Sequence, residues 1–244
     1  MVNGLAAAAA GMEAQQAALD ALSGDIANAS TIGYKSLRVG FRDLLYQPAG
    51  RGGAAGTQTG DGATAEVIGR DFTQGALEQT GRSLDVALIG PGFIAVRGAG
   101  GAVALTRAGD LGVGADGTLQ TATGQRLEPP VRIPAGTDPE DIEIDPDGTV
   151  KVGKRTVGQI DLVEVTNPSG LQPDGEGDFL PSAASGPVRG ASGARLQQGA
   201  LEASNVEMAT VMTQMSEAQQ GYELAGKAVQ TQDEVLAVAN GLIR

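Results

Sequence analysis

The sequence predicts an α+β protein, with long N- and C-terminal helices forming a coiled-coil domain and an antiparallel β-rich middle domain. Three observations carry this. Apolar residues recur every seven positions at both ends of the chain, short β-prone runs separated by turn signals fill the middle, and a Gly-rich stretch stands between the first end and that middle.

At the first end Leu5, Met12, Leu19 and Ile26 recur every seven residues, with Ala8, Gln15, Leu22 and Ala29 at the companion positions. This 3–4 alternation places them along one seam of a helix. The run Ala6 to Ala10 superficially resembles a secretory leader. It has no basic n-region, since the first Lys or Arg is Lys35, and Glu13 follows soon after. We read it as helix, and expect any passage out of the cytoplasm to need no cleaved signal peptide.

At the far end the same arithmetic gives Met208, Met215, Tyr222, Val229, Leu236 and Ile243, with Val211, Ala218, Ala225, Gln232 and Ala239 as companions. The run corresponds to about 55 Å of helix at ~1.5 Å per residue. Both seams are narrow stripes, not the broad apolar face of a helix lying on a domain. Small Ala companions permit close approach, and Gln15 and Gln232 are polar interruptions of the kind that set register. The expectation is a terminal helical assembly domain made of residues 1–31 with 203–244, completed by neighbouring subunits.

Residues 32–71 are expected to form an extended Gly-rich linker, because 48–62 is poor in apolar residues and rich in Gly. A β-rich domain is expected over 72–202. Its strand-like runs are 84–89, 93–97, 103–107, 118–121, 142–144, 149–152 and 160–165, and Asp116-Gly117 and Asp147-Gly148 supply hairpin turns.

Composition narrows the chemistry. The 244 residues carry 17 basic and 29 acidic side chains, a formal charge of −12, with no His and no Cys. That balance argues against a nucleic-acid surface, which needs clustered Lys and Arg to displace phosphate counterions. Lack of His and Cys removes a Ser-His-Asp triad, a thiolate nucleophile and nitrogen or sulfur ligands for zinc. No stretch of about 18 apolar residues is present to span a membrane.

Two apparent motifs read as turns. Gly90-Pro-Gly-Phe-Ile-Ala95 matches a dinucleotide fingerprint, but Phe93 to Arg97 continues as strand, whereas the fingerprint requires glycines that open a helix. Glu143-x-Asp145-x-Asp147-Gly148 imitates the start of a calcium loop, yet its twelfth position is Lys154 and its flanks are strands. No catalytic residue, cofactor site or metal site is expected. An enzyme with a carboxylate pair and a binding module on a coiled-coil stalk are the competing classes.

Ile26-Ala-Asn-Ala-Ser-Thr-Ile-Gly-Tyr-Lys35 resembles the signature A-N-x-x-T-x-G-[YF]-K of the flagellar basal-body rod protein family, with Ala27, Asn28, Thr31, Gly33, Tyr34 and Lys35 on its fixed positions. Gly24-Asp25 departs from the Asn-Asn that the family usually has there. The likeness continues in order through Phe41 to Gln47, Gln74 to Gly81, Gly90 to Phe93, Thr106 to Asp110, Leu201-Glu-Ala-Ser-Asn-Val206 and Val229 to Leu236. The segment at 43–47 and the Gly-rich stretch after it are similar to the distal rod members, with the proximal rod members as the alternative.

The resemblance implies a structural subunit that stacks helically with copies of itself into the hollow drive shaft between motor and hook. It also implies other rod and hook proteins and the flagellar export apparatus as partners, and a place in the basal body outside the cytoplasmic membrane. Independently, a helical assembly follows when one patch binds a different patch on the next subunit and the contact never closes. The interface is then expected on the helix seams: Leu5, Met12, Leu19, Leu22, Ile26, Met208, Met215, Tyr222, Val229, Leu236 and Ile243.

Overall fold

The computed structural model describes residues 2–43, 46–48, 58–60, 63–98, 101–175 and 177–241. Helix α1 spans Val2–Ala27 and helix α2 spans Met208–Gly241, with the β-structure between them. Two compact units result: residues 1–27, 37–69 and 207–244 form one, and residues 28–36 with 70–206 form the other.

In the first unit α1 and α2 pack against each other in antiparallel sense. Gly11 lies opposite Ala225, Met12 opposite Gly226, and Gln15 opposite Gly221. The same unit contains the strand pair Leu37–Asp43 with Ala63–Arg70, except for the terminal Arg70, and Tyr46–Pro48 paired antiparallel with Gln58–Gly60. These strands lie in the stretch expected to be a linker. β-branched Val39, Val67 and Ile68 suit a pleated surface, a preference masked by the glycines around them.

The second unit is built on a six-stranded antiparallel sheet in the order Gln172–Gly175, Asp178–Leu180, Val103–Thr106, Phe93–Arg97, Leu162–Glu164, Arg189–Gly190. Strand Phe93–Arg97 is central. Ile94 and Val96 join a large core with Val86, Leu88, Leu119 and Val150. Phe93 joins a smaller core with Leu105 and Phe179, against which Phe72 packs edge-on. Burial on both faces explains its unbroken apolar run. A three-stranded sheet, Ile142–Ile144, Thr149–Val152 and Arg155–Gln159, completes the large core.

Gly90, with φ +95°, and Gly92, with φ +143°, lie in the turn between strands Val86–Ile89 and Phe93–Arg97. Asp145 to Gly148 turns the chain between Ile142–Ile144 and Thr149–Val152, and the Asp147 carboxylate accepts the Thr149 N–H at 3.0 Å. Both motifs are therefore strand connections. Sequence patterning missed the two strands that precede α2. Arg195–Gln198 pairs with Val86–Ile89, and Ala200–Glu202 pairs with Leu77–Gln79.

Candidate functional site

Among the described residues no group of three or more acidic side chains is placed to hold a metal ion. No described helix is long and apolar enough to cross a membrane. Two features stand out instead, one in each unit.

The first is the helix pair. The most deeply buried positions of α1 are Ala14, Ala18, Ala21 and Asp25, spaced by four, three and four. On α2 they are Val211 and Ala218, with Met215, Gly221, Ala225, Gly226, Val229 and Gln232 half-buried along the same stripe. Small residues occupy the line of closest approach because only they let two helix backbones come together there. A Cβ on Gly221 would sit 2.9 Å from the Gln15 amide.

The large seam residues therefore flank that line. Leu5, Met12, Leu19, Leu22 and Ile26 are half-buried, as are Met215 and Val229. Met208 and Tyr222 are exposed. The Leu236 side chain and Ile243 lie outside the described residues. Beside the seam Leu224, Val235 and Val238 fall at i, i+11 and i+14 on α2, with 65%, 53% and 65% of their surface exposed. The three side chains form an exposed apolar stripe along α2.

Asp25 is buried at the last turn of α1, and its carboxylate accepts the Leu37 N–H at 3.0 Å. At the root of α2 the Thr210 hydroxyl donates to the Glu207 carboxylate at 2.9 Å, and the Val211 N–H donates to the Glu207 carbonyl.

The second feature is a buried ionic cluster in the other unit. Lys35 Nζ lies 2.6 Å from Glu202 Oε1, and Arg107 Nη1 lies 3.0 Å from Glu202 Oε2. Lys35 also donates to the Thr73 carbonyl at 2.7 Å, Arg107 Nη2 to the Gly90 carbonyl at 2.9 Å, and the Gly75 N–H to Glu202 Oε1 at 2.9 Å. Burial draws the Lys35 ammonium below its ordinary value, while Glu202 pulls the other way. Asn205 reinforces the junction. Its Oδ1 accepts the Ser36 N–H at 2.8 Å and its Nδ2 donates to the Asp71 carbonyl at 2.7 Å.

The residues of the segment 26–35 take these places in the structure. Ala27 closes α1, and the Asn28 carbonyl accepts the Thr31 N–H at 3.0 Å while the Thr31 hydroxyl donates to Asn28 Oδ1. Gly33 has φ +68°, and a Cβ there would lie 2.7 Å from the Arg107 carbonyl carbon. Its N–H donates to the Glu202 carbonyl at 2.8 Å. Tyr34 is buried beneath the Arg70 guanidinium, 5.3 Å from its ring centre. Lys35 closes the cluster.

Neither Glu202 nor Arg107 nor Asn205 is singled out by sequence reasoning. Each lies in a segment quoted for the resemblance, but no local periodicity marks Glu202 as the partner of Lys35 and Arg107, or Asn205 as the partner of Ser36 and Asp71.

The family model for the flagellar hook protein FlgE/F/G D1 domain matches residues 87–152, and that for the C-terminal region of flagellar basal body rod FlgEFG proteins matches 197–242. The chain is 35% identical to the flagellar basal-body rod protein FlgG of Borreliella burgdorferi, covering 100% of each. It is 36% identical to the FlgG of Agrobacterium fabrum, covering 98% of each, and 34% identical to that of Caulobacter vibrioides, covering 99% of each.

Proposed function

This chain belongs to the flagellar basal-body rod protein family as a structural subunit of the distal rod, and we propose that its helix pair is the surface through which copies assemble. The observation that carries the proposal is the exposed apolar stripe of Leu224, Val235 and Val238 beside the half-buried seam. A helix pair that leaves such residues in water gains by burying them, at roughly 25 cal/mol per Å² of apolar surface.

On this reading the seam residues, from Leu5 to Ile26 and from Met208 to Ile243, form coiled-coil contacts within and between copies. Repetition of one head-to-tail contact builds a helical, hollow shaft that carries torque toward the hook, with other rod and hook proteins at its ends. The subunit reaches the basal body outside the cytoplasmic membrane through the flagellar export apparatus. Its role is mechanical, in keeping with the structural character of the family.

Leu19→Asp tests this. A carboxylate at a seam position loses its hydration on assembly, at a cost of several kcal/mol repeated in every subunit. The expected result is a folded β-rich unit, no filaments by electron microscopy and no motility. Normal filaments from this variant would sink the proposal.

A further inference from the structure

Asp85 lies where three segments of the β-rich unit meet. Its Oδ2 accepts the Thr80 hydroxyl at 2.6 Å, its carbonyl accepts the Gly199 N–H at 2.8 Å, and it forms an isolated antiparallel bridge with Asp110. Its neighbours Leu84 and Val86 both join the large core, so the Asp85 side chain points to the opposite face. The chains approach closely at the bridge, since a Cβ on Gly109 would run into the Val86 carbonyl.

The bridge sets two carboxyls side by side. The Val86 N–H donates to the Gly109 carbonyl at 2.9 Å, which makes Val86 and Gly109 the hydrogen-bonded pair of this ladder. Asp85 and Asp110 are then the non-hydrogen-bonded pair, with Cα atoms about 4.5 Å apart and side chains at their closest on one face. Like charges directly opposite each other in this way are destabilising.

The surroundings give Asp85 little relief. It is fully buried, and among the described residues its Oδ1 has no hydrogen-bond partner. The Arg82 guanidinium stands 3.5 Å from that oxygen, with 67% of its side chain in water. A buried acceptor without a donor is costly. Asp110, across the bridge, supplies a donor whenever it carries a proton.

We propose that Asp85 and Asp110 form a proton-operated latch within the β-rich unit. With a proton on Asp110, its O–H donates to Asp85 Oδ1 and ties the two segments together. Without that proton two carboxylates face each other and the bridge loosens. The proton comes from solvent and returns to it, and no other bond changes.

The electrostatics agree with the geometry. Burial raises the half-buried Asp110 carboxyl above its ordinary value and the charge of Asp85 adds to this, while its own backbone N–H and Arg82 pull it down. The folded chain therefore keeps this proton at pH values where the unfolded chain has released it. The stabilisation is fully present below the ordinary 3.8 and is lost as pH rises through the raised value. This is a property of the single chain and does not depend on whether copies assemble.

Amide hydrogen exchange of dilute full-length protein, corrected for the intrinsic rate at each pH, reads the latch in strands Val86–Ile89 and Leu111–Val113. In the wild type their protection should rise by about two-fold or more from pH 7 to pH 5. Asp110→Asn places a permanent donor opposite Asp85 Oδ1, so protection at pH 7 should reach at least the wild-type level at pH 5 and lose that rise. Asp85→Asn, whose amide can donate to the Asp110 carboxylate, should lose the rise as well.

Wild-type protection that is flat or falls towards pH 5 would overturn the proposal. So would a rise that persists in Asp110→Asn, which would assign it to other acids. Should Asp85→Asn unfold, Asp110→Asn decides alone, and an Asp110→Asn protein less protected than wild type at both pH values would overturn the latch.

Discussion

The ammonium of Lys35 rests 2.6 Å from a carboxylate oxygen of Glu202, 167 residues away in the chain, and neither side chain reaches solvent. The same carboxylate takes Arg107 on its other oxygen, so one buried anion answers two buried cations. This asymmetry ranks two substitutions. Glu202→Gln removes the counter-charge that both cations share, whereas Lys35→Met leaves a one-to-one pair. Breaking a buried pair by removing one partner costs about 3–5 kcal/mol. Chemical denaturation should show a loss at the upper end of that range for Glu202→Gln and a smaller one for Lys35→Met. The reverse order would mean that hydrogen bonds to backbone, not charge balance, govern the cluster.

Gly33 and Gly81 separate two reasons for glycine. Both have positive φ, +68° and +72°, but a Cβ at Gly33 would strike the Arg107 and Ala108 backbone at 2.7 to 2.8 Å, while at Gly81 nothing lies within 4 Å. Gly81→Ala should therefore cost only the backbone strain, roughly 1–2 kcal/mol. Gly33→Ala adds a collision with backbone that cannot swing aside, and overpacking contributes about 1–3 kcal/mol more. Thermal melts of the two variants should differ in that direction. Equal melting temperatures would remove the close approach as the reason for glycine at position 33.

Much of this architecture was legible beforehand because its signals are local. Helices at both ends, Asp-Gly turns at 116–117 and 147–148, and the apolar run 93–97 are each settled by neighbouring residues. What escaped depended on distant partners. The stripe of α1 that packs closest is Ala14, Ala18, Ala21 and Asp25, one residue ahead of the large seam residues, because bulk decides the seam in sequence while smallness decides the approach in space. Glu202 sits in strand Ala200–Glu202, too short to stand out, and its role exists only once Lys35 and Arg107 arrive.

Lys35 also gives the β-rich unit an alkaline signature. Burial lowers its pKa in the folded chain below the ordinary 10.5, so the unfolded chain binds more protons between the lowered value and 10.5. Stability rises with pH wherever the unfolded state holds more protons. Denaturation of the wild-type protein should thus show a stabilising contribution as pH climbs through that window. Lys35→Met should lack it. A Lys35→Met protein whose pH profile matches the wild type there would show that Glu202 restores the ordinary pKa in full.

The last prediction concerns salt and the charge of the helices. The terminal segments are acidic in sequence, but the structure takes two of those acids out of play. Asp25 is buried and bonded to the Leu37 N–H, and Glu202 is enclosed between Lys35 and Arg107. The acids left exposed on or beside the helices are Glu13, Asp20, Glu207, Glu217, Glu223 and Glu234, with Lys227 as the exposed base among the described residues. Crowding these helices into a tube sets like charges against each other, and exposed charges are screened beyond ~8 Å at physiological ionic strength. Filament yield by sedimentation should therefore rise between low and physiological salt, and Glu217→Gln with Glu223→Gln should flatten that rise. Asp25→Asn should leave the salt dependence as it is, since a buried carboxylate bonded to backbone contributes little to repulsion across an interface. A yield that stays flat or falls with salt would refute the repulsion and leave the family assignment untouched.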